Sequence, residues 1–126
     1  MDRQKKILIV DDDDQISKMY TTLLDIKGYK TQRVNNGEDA LAVVQDFKPD
    51  LILLDVMMPK ISGFDVADIL HNTPVVKDIP IIMLSALGGK EDRERATASG
   101  VTHYFVKTEI DTESIAKKIE EILSKS

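Results

Sequence analysis

Four short apolar runs punctuate the chain: Ile7–Val10, Leu51–Val56 (interrupted only by Asp55), Ile79–Leu84 and Tyr104–Val106. The first three are continuous rather than alternating, the pattern of strands covered on both faces. A weaker segment, Lys30–Val34, alternates with polar residues and belongs at a sheet edge. Between these runs the period lengthens to that of a helix. Ile16, Met19, Tyr20, Leu23 and Leu24 fall on one face of a helix that Gly28 ends. Ala40, Leu41, Val44 and Phe47 form a second stripe between the Asn35-Asn36-Gly37 turn and Pro49. A third helix runs from about Phe64 to Leu70 after Gly63, and the last carries Ile115, Ala116, Ile119, Ile122 and Leu123. The segment Lys90–Ser99 also reads as a helix, but its only apolar residues are alanines. It can bury little area and is expected to be loosely held.

The order is β-α repeated five times, which implies a parallel sheet with helices on both faces and right-handed crossovers. Function in such a sheet sits at the carboxyl ends of the strands, near the point where strand order reverses. The residues there are unusual. Asp11 and Asp12 follow the first run, Asp55 closes the second, Ser85 follows the third and Lys107 follows the fourth. None of these residue types belongs inside a core without a partner. A hard divalent cation such as Mg²⁺ takes oxygen ligands, which Asp11, Asp12 and Asp55 can supply. The metal, Lys107 and the adjoining helix N-terminus would share the negative charge. Asp13 and Asp14 read as a helix cap and a solvated first-turn residue, and Met57-Met58 as packing.

The rest of the sequence narrows the chemistry. At 126 residues the chain suits one compact domain, and its net charge of −5 argues against direct nucleic-acid binding. There is no cysteine, hence no thiol chemistry, and only His71 and His103 are available as nitrogen ligands, which disfavours zinc. The four-residue run before the aspartates is too short for a signal-peptide core or a membrane span, so a cytoplasmic protein without membrane insertion is expected. No P-loop, dinucleotide fingerprint or nucleophile elbow occurs. The aspartate run is not an EF-hand loop, because its sixth position is Ile16.

Five stretches, KILIVDDD, NNGEDAL, KPDLILLDVMMPKISGFDV, IPIIMLSA and YFVK, together resemble the receiver domain of two-component response regulators over essentially the whole chain. The resemblance implies a flavodoxin-like, doubly wound α/β fold: a five-stranded parallel sheet of order 2-1-3-4-5 with five helices, formed by residues 1–126 as a single receiver domain, either free-standing or part of a longer regulator. It implies that Asp55 accepts a phosphoryl group from a phosphohistidine on a sensor histidine kinase or phosphotransfer protein. Asp12 and Asp55 would hold Mg²⁺ through carboxylates and Met57 through its backbone carbonyl, with Asp11 helping through water or hydrogen bonds. Lys107 would neutralise the phosphoryl oxygens, Ser85 would hydrogen-bond one of them, and Tyr104 would be the aromatic switch that turns inward on activation. The helix at Lys90–Ser99, the last strand and the last helix would present the changed surface to a downstream effector or fused output domain. Met57 and Leu87 match the positions that flank the hydrolytic water, and both are apolar, which predicts a long-lived phosphorylated state. The family's proline after the lysine is replaced here by Thr108.

Two rivals share these features. One is a binding module of the same fold that no longer uses phosphate, which would be marked by loss of Asp55 or Lys107; both are present. The other is a Mg²⁺-dependent aspartyl-phosphate phosphatase, whose families typically place a second aspartate two residues after the nucleophile; here that residue is Met57.

Overall fold

The computed structural model describes residues 3–86 and 88–125. Strands β1 (Lys6–Val10), β2 (Lys30–Val34), β3 (Leu51–Asp55), β4 (Ile81–Ser85) and β5 (His103–Val106) alternate with helices α1 (Asp14–Ile26), α2 (Gly37–Phe47), α3 (Gly63–His71), α4 (Lys90–Ala98) and α5 (Thr112–Ser124). The strands form one parallel sheet in the order β2-β1-β3-β4-β5. The fold class and strand order expected from the sequence are both present, and the polar alternating segment Lys30–Val34 lies at an edge.

Successive side chains of a strand point to opposite faces, so each central strand feeds two cores. Leu8, Val10, Ile52, Leu54 and Met83 pack with Val44 of α2 and Phe64, Ala67 and Leu70 of α3. Ile7, Ile9, Leu51, Leu53, Ile82 and Leu84 pack on the other face with Leu24 of α1 and Ile115 and Ile119 of α5. β3 and β4 are buried from end to end, which is why their sequences show no alternation.

The fourth strand starts two residues later than its apolar run. Pro80 has no N–H to donate to the ladder, and the Ile79 N–H turns back to the Val76 carbonyl at 3.1 Å. At its other end the strand runs one residue past the apolar run, with Ser85 as its last residue.

Four helices begin with a side-chain cap. Asp13, Asn36 and Asp111 accept from the N–H three residues on, and Ser62 with Asp65 forms a reciprocal capping box. α4 follows Gly89 with no side-chain cap among the described residues, and only Ala96 of it is buried. Polar contacts hold it instead. The Arg95 guanidinium lies 4.7 Å over the Phe64 ring and 3.6 Å from Asp65. Arg93 lies 5.4 Å over the Tyr104 ring and 3.9 Å from Glu109. These are exposed pairs, each contributing little.

The return from β3 into α3 is tight. The Gly63 N–H donates to the Val56 carbonyl at 2.8 Å. A Cβ at Gly63 would fall 2.3 Å from the Asp55 carbonyl oxygen and 2.9 Å from Val56 Cα, and backbone cannot give way as a side chain can. Gly63→Ala should therefore destabilise the protein by about 1–3 kcal/mol, measured by denaturant unfolding; a variant as stable as the wild type would show that the loop relaxes freely.

Candidate functional site

The strand registers bring the polar residues together. Val10 is paired with Leu54, Asp55 with Leu84 and Ser85 with Val106. Asp11, Asp55, Ser85 and Lys107 therefore lie within about one residue of a common line across the carboxyl edge of the sheet. The ladder continues past the strand ends, with the Val56 N–H donating to the Leu84 carbonyl at 3.1 Å and the Lys107 N–H to the Ser85 carbonyl at 2.8 Å. Asp12 lies in the loop between β1 and α1, and α1 begins at Asp14, so the positive end of a helix dipole adjoins the carboxylates.

Asp11, Asp12 and Asp55 each offer a carboxylate oxygen within 4.8 Å of the others. Asp11 and Asp55 are buried and Asp12 is exposed. Lys107 Nζ stands 2.9 Å from Asp55 Oδ1 and 3.8 Å from Asp11 Oδ2. Asp55 Oδ1 is buried, and apart from this ion pair it has no hydrogen-bond donor among the described residues. Three carboxylates thus face one ammonium. An oxygen-only donor set that a single ammonium leaves under-neutralised fits a hard divalent cation such as Mg²⁺.

The electrostatics follow from that imbalance. Burial pushes the Asp55 carboxyl up from 3.8 to about 6; contact with Lys107 pulls it down, and Asp11 and Asp12 push it further up. Burial also raises Asp11, against the Asp13 backbone N–H and Lys107, which lower it. Burial depresses Lys107, but the contact with Asp55 and the charges of Asp55 and Asp11 outweigh it and raise its pKa overall.

Asp13 is the N-cap of α1, accepting from the Ile16 N–H at 3.0 Å, and Asp14 is in the first turn. Ser85 is fully buried and Tyr104 is half-buried on edge strand β5. Met58 packs against the α2–α3 core, but Met57 is 57% exposed in the loop after β3, so only half of that pair is packing. The Lys107–Thr108 bond is trans. Leu87 lies outside the described residues. Sequence reasoning passed over Arg33, which donates to the Asp11 carbonyl from Nε at 3.2 Å and Nη2 at 2.9 Å, and pairs through Nη1 with Asp14 at 2.8 Å. Its only signal was its place next to last in β2, beside the end of β1.

Residues 7–120 match the family model described as the response regulator receiver domain. The chain belongs to that family. It is 40% identical over 113 residues to the phosphate regulon transcriptional regulatory protein PhoB of Pseudomonas aeruginosa, covering 90% of this chain and 49% of that protein. It is 35% identical over 103 residues to the polar-differentiation response regulator DivK of Brucella anthropi, covering 82% and 84%. The fold superposes on the chemotaxis protein CheY4 of Vibrio cholerae with a TM-score of 0.88 at 30% identity, covering 95% and 99%. The chain spans about half, or less, of the length of the transcriptional regulators it matches. Its homology to response regulators is consistent with a phosphoacceptor switch of two-component signalling. Among the described residues no helix is long and apolar enough to cross a membrane.

The raised Asp55 pKa fixes the sign of a pH effect. The folded state holds this proton more tightly than the unfolded state does. Folding is therefore favoured by Asp55 below its unfolded pKa near 4, and that advantage is lost as pH rises to about 6. With divalent cations removed by EDTA, Asp55→Asn should match the wild type near pH 4 and exceed it increasingly up to pH 7, by on the order of 2–3 kcal/mol. Thermal melts from pH 4 to 8 measure this; a difference that does not change with pH would refute the shift.

Proposed function

We propose that Asp55 is the phosphoacceptor of this receiver, with Asp11, Asp12, Asp55 and the Met57 carbonyl holding Mg²⁺. The observation that carries the reading is the buried Asp55 oxygen 2.9 Å from Lys107 Nζ, with the Asp11 and Asp12 carboxylates within 4.8 Å of that of Asp55. An Asp55 carboxylate oxygen attacks phosphorus, the bond from phosphorus to the phosphohistidine nitrogen breaks, and the imidazole leaves with that electron pair. Bound Mg²⁺ would supply charge neutralisation to the phosphoryl oxygens. Lys107 adds a fixed positive charge there, and Ser85 donates a hydrogen bond to one oxygen. A carboxylate nucleophile needs no general base, so positioning and charge do the catalysis. The chain promotes only its own phosphorylation and dephosphorylation and turns over no separate substrate.

The added charge is read out through Ser85 and Tyr104. The Ser85 carbonyl already bonds the N–H of Lys107 at the end of β5, and Tyr104 sits on that strand under Arg93. Movement at Ser85 therefore reaches the α4, β5 and α5 face. The partners are a sensor histidine kinase or phosphotransfer protein upstream and an effector protein or fused output domain downstream. This domain contacts no nucleic acid itself, inserts into no membrane and works in the cytoplasm.

Acetyl phosphate with Mg²⁺ should add one phosphoryl group to the protein, and Asp55→Asn should abolish the gain in intact-mass spectra. Equal labelling of the variant defeats the assignment, and sustained hydrolysis of a generic phosphoester favours a phosphatase instead. Met57 and Leu87 cannot hold a water by a strong hydrogen bond. Met57→Asn combined with Leu87→Glu should accordingly speed loss of the phosphoryl group once the donor is removed; unchanged or slower decay with Mg²⁺ affinity intact would exclude this control of lifetime.

A further inference from the structure

We infer that Arg33 is a positioning residue for the cation-binding loop, acting through the main chain of Asp11. The inference rests on the reading that Asp11, Asp12 and Asp55 hold Mg²⁺. Arg33 reaches across from β2 and grips both ends of the Asp11–Asp14 span with one planar group. Nε and Nη2 donate to the Asp11 carbonyl, and Nη1 lies against Asp14 Oδ1. Asp12 sits between those two anchors.

The other polar groups of Asp11 are also held. Its N–H donates to the Val34 carbonyl at 3.2 Å, its Oδ1 accepts from the Asp13 N–H at 2.9 Å, and Ser17 Oγ donates to its carbonyl at 3.3 Å. Asp12 is exposed, and the placing of its carboxylate depends on the main chain on either side. Arg33 is the side chain that ties that main chain to the sheet edge at one end and to the first turn of α1 at the other.

Two simpler accounts make different predictions. If Arg33 were only a solvated partner of Asp14, whose side chain is 87% exposed, its loss would leave cation binding unchanged. If it acted only as a charge beside the carboxylates, its loss would tighten cation binding by removing a repulsion. Positioning predicts the reverse. Groups that orient metal ligands typically change affinity by about 10–100-fold when removed. Lysine keeps the charge but donates from a single point, so it cannot fork onto the Asp11 carbonyl and reach Asp14 as well.

The test is a calorimetric Mg²⁺ titration of the wild type, Arg33→Ala and Arg33→Lys, with melts in EDTA to verify folding. Both variants should bind Mg²⁺ about tenfold more weakly. Should Arg33→Ala fail to fold, Arg33→Lys carries the test, since it keeps the stem and the charge. Phosphoryl uptake from acetyl phosphate should be slower in both at low Mg²⁺ and should recover as Mg²⁺ saturates, because Asp55 and Lys107 are untouched. Variants that bind Mg²⁺ as tightly as the wild type, or more tightly, overturn the role of Arg33, as does an uptake defect that persists at saturation. A wild type that binds no Mg²⁺ overturns the metal reading and this inference with it.

Discussion

Asp11 and Asp55 are buried side by side at the end of a hydrophobic sheet, with one ammonium between them and a third carboxylate at the rim. Two such groups would normally stay apart, because burial penalises charge and like charges repel. Here the apolar strands hold them together. The continuous apolar runs of β1 and β3 can be satisfied only by burial on both faces, and their parallel pairing fixes where each strand stops. The core holds an electrostatically unfavourable arrangement in place, and that arrangement is what the proposed cation would relieve.

The surrounding structure divides according to that demand. The strand ends are tied by ladder bonds that continue past the strands, and the helices nearest the cluster start from defined caps, so the carboxylates have little freedom to separate. Gly63 lets α3 fold back against the main chain at Asp55 without a side chain in the way. Rigidity is concentrated on the side of Asp55. On the far side, the Ser85 carbonyl is bonded to the N–H of Lys107, so the end of β4 and the end of β5 move as neighbours.

Most of this was legible in the sequence because each message was local and repeated. Ile7–Val10 and Leu51–Asp55 show burial on both faces, and the residue that follows or closes each run shows where the sheet edge lies. Element order then supplied the topology. What was not legible depended on contacts between distant segments. Ile79 looked like strand and is turn, because one proline withholds a ladder bond. Met57 looked like packing and is exposed, because the β3–α3 loop turns its two methionines to different surroundings. Arg33 looked like an ordinary polar residue of an edge strand; only the register of β2 against β1 carries it to the Asp11 carbonyl. Side chains that act on main chain leave no motif.

The sparse anchoring of α4 sets how quiet the switch can be. A two-state element moved from 1:99 to 99:1 needs about 5.5 kcal/mol of differential binding. A helix with one buried alanine and two solvent-facing arginine contacts lies within reach of that sum. In the proposed switch, the same shallowness would let an alternative arrangement of α4 be populated without any phosphoryl group, since a small gap works in both directions. Resting output and ease of activation would then be set by the same few residues on α4. More apolar residues there would lower the background signal and, to the same extent, blunt the response.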